Sequence, residues 1–395
     1  DYKMISFQHI TSLSFVISVV HSISFQSFQA ENIVSHISTY NNTLFVGSKN
    51  KIYQIDKNFN TLQAMTITPD STEEDNSVTL MLVHPDPRRQ VLFWCGKVNH
   101  GQCHVSSLGD ITAGDYLDEE YFTDKLEDKF DEDNINDEDI LSLLDTGMFG
   151  HLGASEANAI FMDISSNEEL SEGMRTKYTL LSSAVFDTSR RHDRALPTLA
   201  IYSLLQNQAN DYFLKPTVFN PPVEAYSWLL VGEDIAHEYP IHHISMMEEG
   251  EYVYTVTLQR LNVTFTETHY PFHTRIARFN KFEMRFQHYI EVPIECTERG
   301  HDYNIAVDAQ IATASLGMAK KLGISAGEKM LYLLQGESDN NDKHATANSA
   351  LVCGVSLRKL NNYMDREMER CHRGRGSLVE WFKGHPARCE TVVSR

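Results

Sequence analysis

The chain has 395 residues, of which 42% are hydrophobic, and it carries a net charge of −20. This composition indicates a folded protein with one large domain or two to three smaller ones, and it argues against a disordered chain. No basic stripe follows the sequence, so a nucleic-acid partner is not expected.

Residues 1–30 predict a signal peptide. Lys3 precedes the apolar run SLSFVISVVHSISF at residues 12–25, which is too short and too polar to span a bilayer. Ala30 is the candidate end of this segment, and a buried first strand is the alternative interpretation. No later stretch approaches eighteen consecutive apolar residues, so no membrane span is predicted within the chain.

Short runs of β type recur from about residue 33 to residue 357, joined by loops that carry Gly, Asn, Asp or Pro. The clearest runs are residues 42–56, 77–85, 89–97, 157–164, 178–186, 198–205, 225–234, 239–261, 275–296 and 328–338. Helical spacing of apolar residues is limited mainly to residues 315–324 and 357–371. A meander of many strands excludes a doubly wound α/β fold and leaves a sandwich, a barrel or a propeller. The propeller fits this chain length best.

The segment 115–145 contains 14 Asp and Glu residues against two Lys residues. A calcium loop of EF-hand type is not predicted, because a frame that starts at Asp131 places Ile135 at the fifth position. We interpret this segment as an acidic insertion at the surface, with another kind of calcium site as the alternative.

The side chains that are able to support catalysis or metal binding form no recognised pattern. His237, His242 and His243 lie close together, but His242 and His243 are adjacent in a predicted strand and would point to opposite faces. Residues 147–158 carry glycines without the lysine of a phosphate-binding loop, and no Gly-x-Ser-x-Gly motif occurs. The sequence therefore predicts no catalytic, cofactor or metal site, and no enzyme.

One segment points to a protein family. Residues 349–376, SALVCGVSLRKLNNYMDREMERCHRGRG, combine a strand with a cysteine, an amphipathic helix, a second cysteine and a basic Gly-x-Gly turn. This order resembles the extracellular sema domain of plexins, the cell-surface receptors for semaphorins. Further segments resemble the same domain in matching order, namely residues 92–105, 239–259, 285–324 and 378–389.

The resemblance implies an all-β fold, a seven-bladed β-propeller of the sema type over residues 31–395 whose closing blades are missing from this chain. Because an open propeller exposes an unpaired edge, we expect the chain alone to be poorly stable.

Six cysteines allow fifteen disulfide connectivities, and their spacing does not choose among them. The pairings of the family select Cys95–Cys103, Cys296–Cys353 and Cys371–Cys389. The sequons at Asn41 and Asn262 are predicted glycosylation sites in a secreted chain.

The resemblance also implies a receptor that catalyses nothing and binds a semaphorin, with signalling by receptor homo-association or through a co-receptor. It implies the extracellular side of the plasma membrane, with a transmembrane segment absent from this chain, so that the chain alone would be secreted. In the family, basic residues of the middle blades face the ligand. Here LPTLAIYSLLQ (196–206) has no Arg or Lys, and SRRHDR (189–194) lies just upstream. The alternatives are a semaphorin, a receptor tyrosine kinase with a sema domain, and a secreted sema protein that acts as a decoy.

Overall fold

The computed structural model describes residues 27–67, 75–97, 103–116, 158–168, 171, 176–183, 197–206, 212–216, 228–231, 239–260, 272–283, 286, 288–338, 345–374 and 382–383. Nearly all of the predicted signal peptide (1–30) and of the predicted acidic insertion (115–145) lies outside these residues.

The first two sheets are four-stranded antiparallel meanders in which each strand pairs with the next one along the chain. The first sheet contains β1 Val34–Tyr40, β2 Thr43–Ser48, β3 Lys51–Ile55 and β4 Thr61–Thr66. The second contains β5 Val78–Val83, β6 Val91–Gly96, β7 Cys103–Ser107 and β8 Gly114–Tyr116.

The third sheet has its strands in the spatial order β13-β11-β10-β9, and β12 also pairs with β11. Its strands are β9 Asn158–Asp163, β10 Tyr178–Ser183, β11 Pro197–Gln206, β12 Tyr212–Pro216 and β13 Trp228–Val231. The fourth sheet is again a simple meander, of β14 His242–Glu249, β15 Tyr252–Arg260, β16 Phe272–Asn280 and β17 Ile290–Pro293.

A small hairpin of β18 Cys296–Glu298 and β19 His301–Tyr303 leads into the fifth sheet. That sheet consists of β20 Ile305–Thr313, β21 Lys329–Ser338 and β22 Ala345–Ser356. Near the end of the chain, β23 Phe382–Lys383 pairs with β13 of the third sheet.

Tight turns join many of these strands because the sequence places residues there that tolerate a positive φ. Asn41, between β1 and β2, has a φ of 52°, and Asn50, between β2 and β3, has a φ of 68°. Gly250 takes the same left-handed conformation between β14 and β15, with a φ of 64°. Such residues favour short hairpins and therefore the meander order of the sheets.

The first strands of successive sheets lie side by side. β1 contacts β5, β5 contacts β9, β9 contacts β14, and β14 contacts β20. Sheets that radiate from a ring of inner strands are the arrangement of a β-propeller. The all-β prediction is confirmed, whereas the described sheets do not close into a ring and the count of seven blades stays a prediction.

Apolar side chains fill the spaces between neighbouring sheets. One core cluster joins the first two sheets and includes Phe45, Val78 and Trp94. The largest cluster joins the third, fourth and fifth sheets and includes Leu199, Phe279 and Leu333. Each sheet therefore buries apolar area against the next one, which is the main favourable term in the stability of such a fold.

Both predicted helices are confirmed. The helix α1, Leu316–Leu322, begins at Ser315, whose side chain accepts a hydrogen bond from the Met318 N–H, and ends at Gly323 with a φ of 62°. The helix α2, Leu357–His372, begins at Ser356 in the same way. Neither helix is long and apolar enough to cross a bilayer, and no other described helix is.

The helix α2 packs its apolar side, which includes Leu360 and Met364, into the largest core cluster. Its polar side is bonded to the fourth sheet by Arg278 of β16, which donates to Asp365 at 2.6 Å and to Asn361 at 3.1 Å. The same guanidinium lies 4.5 Å from the ring centroid of Tyr252. The cation–π contact positions the guanidinium on the sheet. The charged hydrogen bonds then attach the helix to this sheet.

His84 stabilises the junction between the second and third sheets. Its ring is 1% exposed and packs against Phe161 and Tyr178, with centroid distances of 4.8 and 5.6 Å. Its Nδ1 accepts a hydrogen bond of 3.1 Å from the Asp86 N–H, so this nitrogen carries no proton. Burial, together with the nearby charge of Arg89, lowers the pKa of His84 from its ordinary value of 6.5 to about 4.

We expect His84→Asn to make the stability of the chain less sensitive to acid. In the unfolded chain the ring titrates near 6.5, whereas in the folded chain its pKa is about 4. The unfolded state therefore binds more protons between these pH values, and the free energy of unfolding falls as the pH falls. Asn supplies an acceptor near the position of Nδ1 and does not titrate. In the variant, the slope of the free energy of unfolding against pH should decrease by up to about 1.4 kcal/mol per pH unit.

Urea unfolding followed by tryptophan fluorescence, at several pH values between about 4 and 6.5, measures this slope. His301→Asn is the control, because His301 is exposed on the β19 strand. An unchanged slope in His84→Asn would contradict the account of this junction.

Candidate functional site

The segment expected near the ligand is buried. Residues 197–206 of LPTLAIYSLLQ form β11, which is a central strand of the third sheet. Its residues from Thr198 to Leu204 are all buried. The lack of Arg and Lys in this segment therefore follows from its place in the core and carries no information about a ligand. The segments that flank β11 in the sequence, including SRRHDR, lie outside the described residues.

The adjacent histidines of β14 are core residues, each 7% exposed. His243 lies 3.0 Å from the Thr198 hydroxyl of β11, measured from its Nε2, and so joins the fourth sheet to the third. The His242 ring packs edge-on against Phe272 at 5.6 Å. Within the described part of the chain, no group of three or more His, Cys, Asp or Glu side chains is placed to hold a metal ion. His237 lies outside that part.

The fourth sheet contains a buried polar network that the sequence does not reveal. The Glu291 carboxylate accepts hydrogen bonds from the Tyr289 hydroxyl at 2.5 Å and from the Gln259 amide at 2.9 Å. An Arg275 nitrogen lies 3.8 Å from its other oxygen, and Tyr239 donates to Gln259 at 3.2 Å. Burial raises the pKa of Glu291, although the charge of Arg275 opposes this shift.

This network is better suited to structure than to chemistry. Glu291, Tyr289, Gln259 and Tyr239 are all buried, and their polar atoms bond to one another across β15, β17 and the segments that precede β14 and β17. Buried side chains that bond to one another in this way fix the relative positions of their strands. The spacing of residues in the sequence could not predict this network, because its members lie up to 52 positions apart.

Two disulfide bonds cross-link the described sheets, and both are pairs that the resemblance implied. Cys95 and Cys103 face each other in β6 and β7, with a Cα–Cα distance of 4.0 Å. Cys296 of β18 is bonded to Cys353 of β22, with a Cα–Cα distance of 6.5 Å. Cys371, at the end of α2, is also disulfide-bonded. Its expected partner, Cys389, lies outside the described residues, so that pairing stays a prediction.

The two expected glycosylation sites differ in what the structure describes. Asn41 is exposed at the turn between β1 and β2, and Thr43 of its sequon begins β2. Asn262 lies outside the described residues. Modification of both asparagines stays a prediction.

No protein-family model matches the chain. Plexin-A4 of Danio rerio is 21% identical over 402 residues, an alignment that covers 93% of this chain and 19% of that protein. Human Plexin-A3 is 23% identical over 387 residues, covering 91% of this chain and 18% of that protein. The chain thus spans about a fifth of the length of the curated relatives it matches.

The fold also matches a solved structure. The full extracellular region of plexin A4 has a TM-score of 0.63 and 18% sequence identity, and the match covers 87% of this chain and 36% of that chain. The predicted likeness to the extracellular sema domain of plexins is therefore confirmed along most of the chain, in sequence and in fold.

Removal of the Cys296–Cys353 bond should destabilise the chain more than removal of the Cys95–Cys103 bond. The bonded residues are 57 positions apart in the first pair and 8 in the second. A longer closed loop restricts the unfolded chain more strongly, by about 4 kcal/mol for the first bond and about 2.5 kcal/mol for the second. Double alanine variants of each pair, compared by urea unfolding, test this order. A larger loss from the Cys95 and Cys103 variant would contradict it.

Proposed function

We propose that this chain is the ligand-binding propeller of a plexin-type cell-surface receptor and that its ligand is a semaphorin. The observation that carries the proposal is the alignment with Plexin-A4 of Danio rerio, which runs through 93% of this chain. The match of the fold to the plexin A4 extracellular region supports the same conclusion. The curated relatives reported above are plexins, which favours the receptor over a semaphorin or a receptor tyrosine kinase.

In this proposal the sheets form a rigid scaffold and the loops at their ends bind the ligand. Loops that a packed scaffold holds in place are the usual carriers of recognition. The segment that precedes β11 in the sequence contains Arg190, Arg191 and Arg194, a basic group in a chain with a net charge of −20. These arginines would contact acidic side chains of the ligand, and the chain would bind without catalysing a reaction. Signalling would follow from receptor homo-association or from a co-receptor.

Two features support an extracellular location at the plasma membrane. Disulfides such as Cys95–Cys103 and Cys296–Cys353 persist in oxidising compartments and are rare in the cytosol. Asn41, in a sequon, is exposed at a hairpin turn, where a glycan would face solvent. We infer that residues 1–30 direct the chain into the secretory route.

Binding to a panel of semaphorin ectodomains, measured by surface plasmon resonance with the secreted chain immobilised, tests the proposal. We expect at least one semaphorin to bind. The double variant Arg190→Glu/Arg191→Glu should weaken that binding by about tenfold or more, since charge complementarity controls such contacts. Lys57→Glu is the matched control, because Lys57 is exposed at the turn between β3 and β4. A chain that melts cooperatively and binds no semaphorin would contradict the proposal.

A further inference from the structure

A groove of about 1510 Å³ lies between the fourth and fifth sheets and is bordered by both helices. Its floor is apolar, with contributions from β17, β21, β22 and α2, namely Val292, Ile294, Leu333, Val355, Leu360 and Tyr363. The Cys296–Cys353 disulfide also lines the groove and joins the β18–β19 hairpin to the fifth sheet. The groove is larger than the roughly 300–1,000 Å³ of typical small-molecule sites, so its size favours a larger ligand.

Two sheet edges border this groove. β17 is the last strand of the fourth sheet and β22 is the last strand of the fifth, and within the described residues no strand pairs with the outer edge of either one. An edge strand presents backbone N–H and C=O groups that can pair with an added strand. Many peptide-binding sites use this mode, in which main-chain hydrogen bonds supply affinity and pockets between side chains supply specificity.

The groove carries positive charge in an acidic protein. Lys320 and Lys321 of α1 and Lys359 and Arg366 of α2 lie along its border, and all four side chains are exposed. Two acidic residues also lie in its lining. Asp365 is paired with Arg278, whereas Glu295 lies 3.7 Å from His273, whose pKa is lowered by burial, so Glu295 keeps its negative charge against the four cations.

The lysines of this border, Lys320, Lys321 and Lys359, form no ion pair within the described residues. Lys359 lies in the first turn of α2, where the helix dipole disfavours a positive charge, so this lysine gains nothing from the helix itself. The positive border is therefore available to a negatively charged ligand.

We propose that this groove is a docking site for an extended acidic peptide segment of a partner protein. The apolar side chains of the segment would pack on the floor, its carboxylates would pair with the lysines, and its backbone would pair with an exposed strand edge. A polyanionic sugar would leave the apolar floor uncovered, and an apolar ligand would leave the cations unpaired. The proposal concerns the fourth and fifth sheets and does not rest on the loops beside β11, so it can fail or succeed independently of semaphorin binding.

The test titrates the complete 395-residue chain with a fluorescein-labelled peptide of alternating glutamate and leucine residues and follows fluorescence anisotropy. We expect saturable binding that Lys320→Glu/Lys321→Glu weakens by about tenfold or more. Lys57→Glu, an equally exposed charge reversal outside the groove, should change the affinity by less than about twofold. No binding by the parent chain, or equal losses in both variants, would overturn the proposal.

Two further peptides separate the contributions of charge and of apolar packing. A glutamine–leucine peptide and a glutamate–serine peptide should each bind more weakly than the glutamate–leucine peptide, because each lacks one half of the recognition. Equal binding of all three peptides would overturn the proposal. Because the lysines are exposed, Lys359→Glu serves as an independent variant that leaves the core intact, and it should also weaken binding.

Two other possible occupants of the groove, a second copy of the chain and a membrane surface, are tested by two further measurements. Light scattering of the parent chain and of Lys320→Glu/Lys321→Glu should give a monomer mass for both. A dimer that the double variant abolishes would assign the groove to a second copy and overturn the proposal. Flotation with phosphatidylserine vesicles should not recover the chain. Recovery that depends on Lys320 and Lys321 would assign the surface to a membrane and overturn it as well.

Discussion

The fold depends on the stacking of sheet faces against one another around a set of inner strands. Every residue of β6 is buried, and so are seven consecutive residues of β15, from Val253 to Gln259. A strand with both faces buried requires a neighbour on each side of its sheet, because a lone sheet would leave one apolar face in water. The stability of each sheet is therefore inseparable from that of the next one.

This constraint explains where apolar side chains remain exposed. On the first sheet, Ile37 of β1 is 63% exposed, and on the fifth sheet, Leu334 and Val352 are 37% and 39% exposed. These two sheets are the ends of the described stack, and the end of a stack has one face without a neighbour. Where the chain leaves the simple meander, further contacts supplement the apolar packing. The Cys296–Cys353 bond joins the β18–β19 hairpin to the fifth sheet, and Arg278 joins the fourth sheet to α2.

Much of the fold was accessible from the sequence because its signals are local. Each signal spans only a few neighbouring positions. The predicted strand runs correspond to strands of the structure, and the spacing of Leu357, Leu360 and Met364 corresponds to α2. The burial of β11 was harder to predict. A strand buried on both faces shows no strict alternation of polar and apolar residues, so the sequence of β11 does not show whether either face is exposed. The disulfide pairs came from the resemblance, since the spacing of six cysteines left every connectivity open.

The contacts that stabilise the junctions could not be predicted, because they join distant parts of the chain. His84 packs on Phe161, and Arg278 bonds to Asp365, 87 positions away. The groove likewise combines residues from Val292 to Arg366 that belong to four strands, two helices and the segments between them. Only the fold brings its lysines and its apolar floor together, and each lysine taken alone is an ordinary surface charge.

Native-state hydrogen exchange, measured by mass spectrometry in increasing urea, tests the central claim most directly. β6, β15 and β21 are inner members of three different sheets. If stacking makes the sheets interdependent, the amides of these strands should lose protection together, with the same free energy of opening and the same dependence on urea. Persistent protection in β15 after β6 and β21 have exchanged would show that the sheets are stable individually, and would contradict this account.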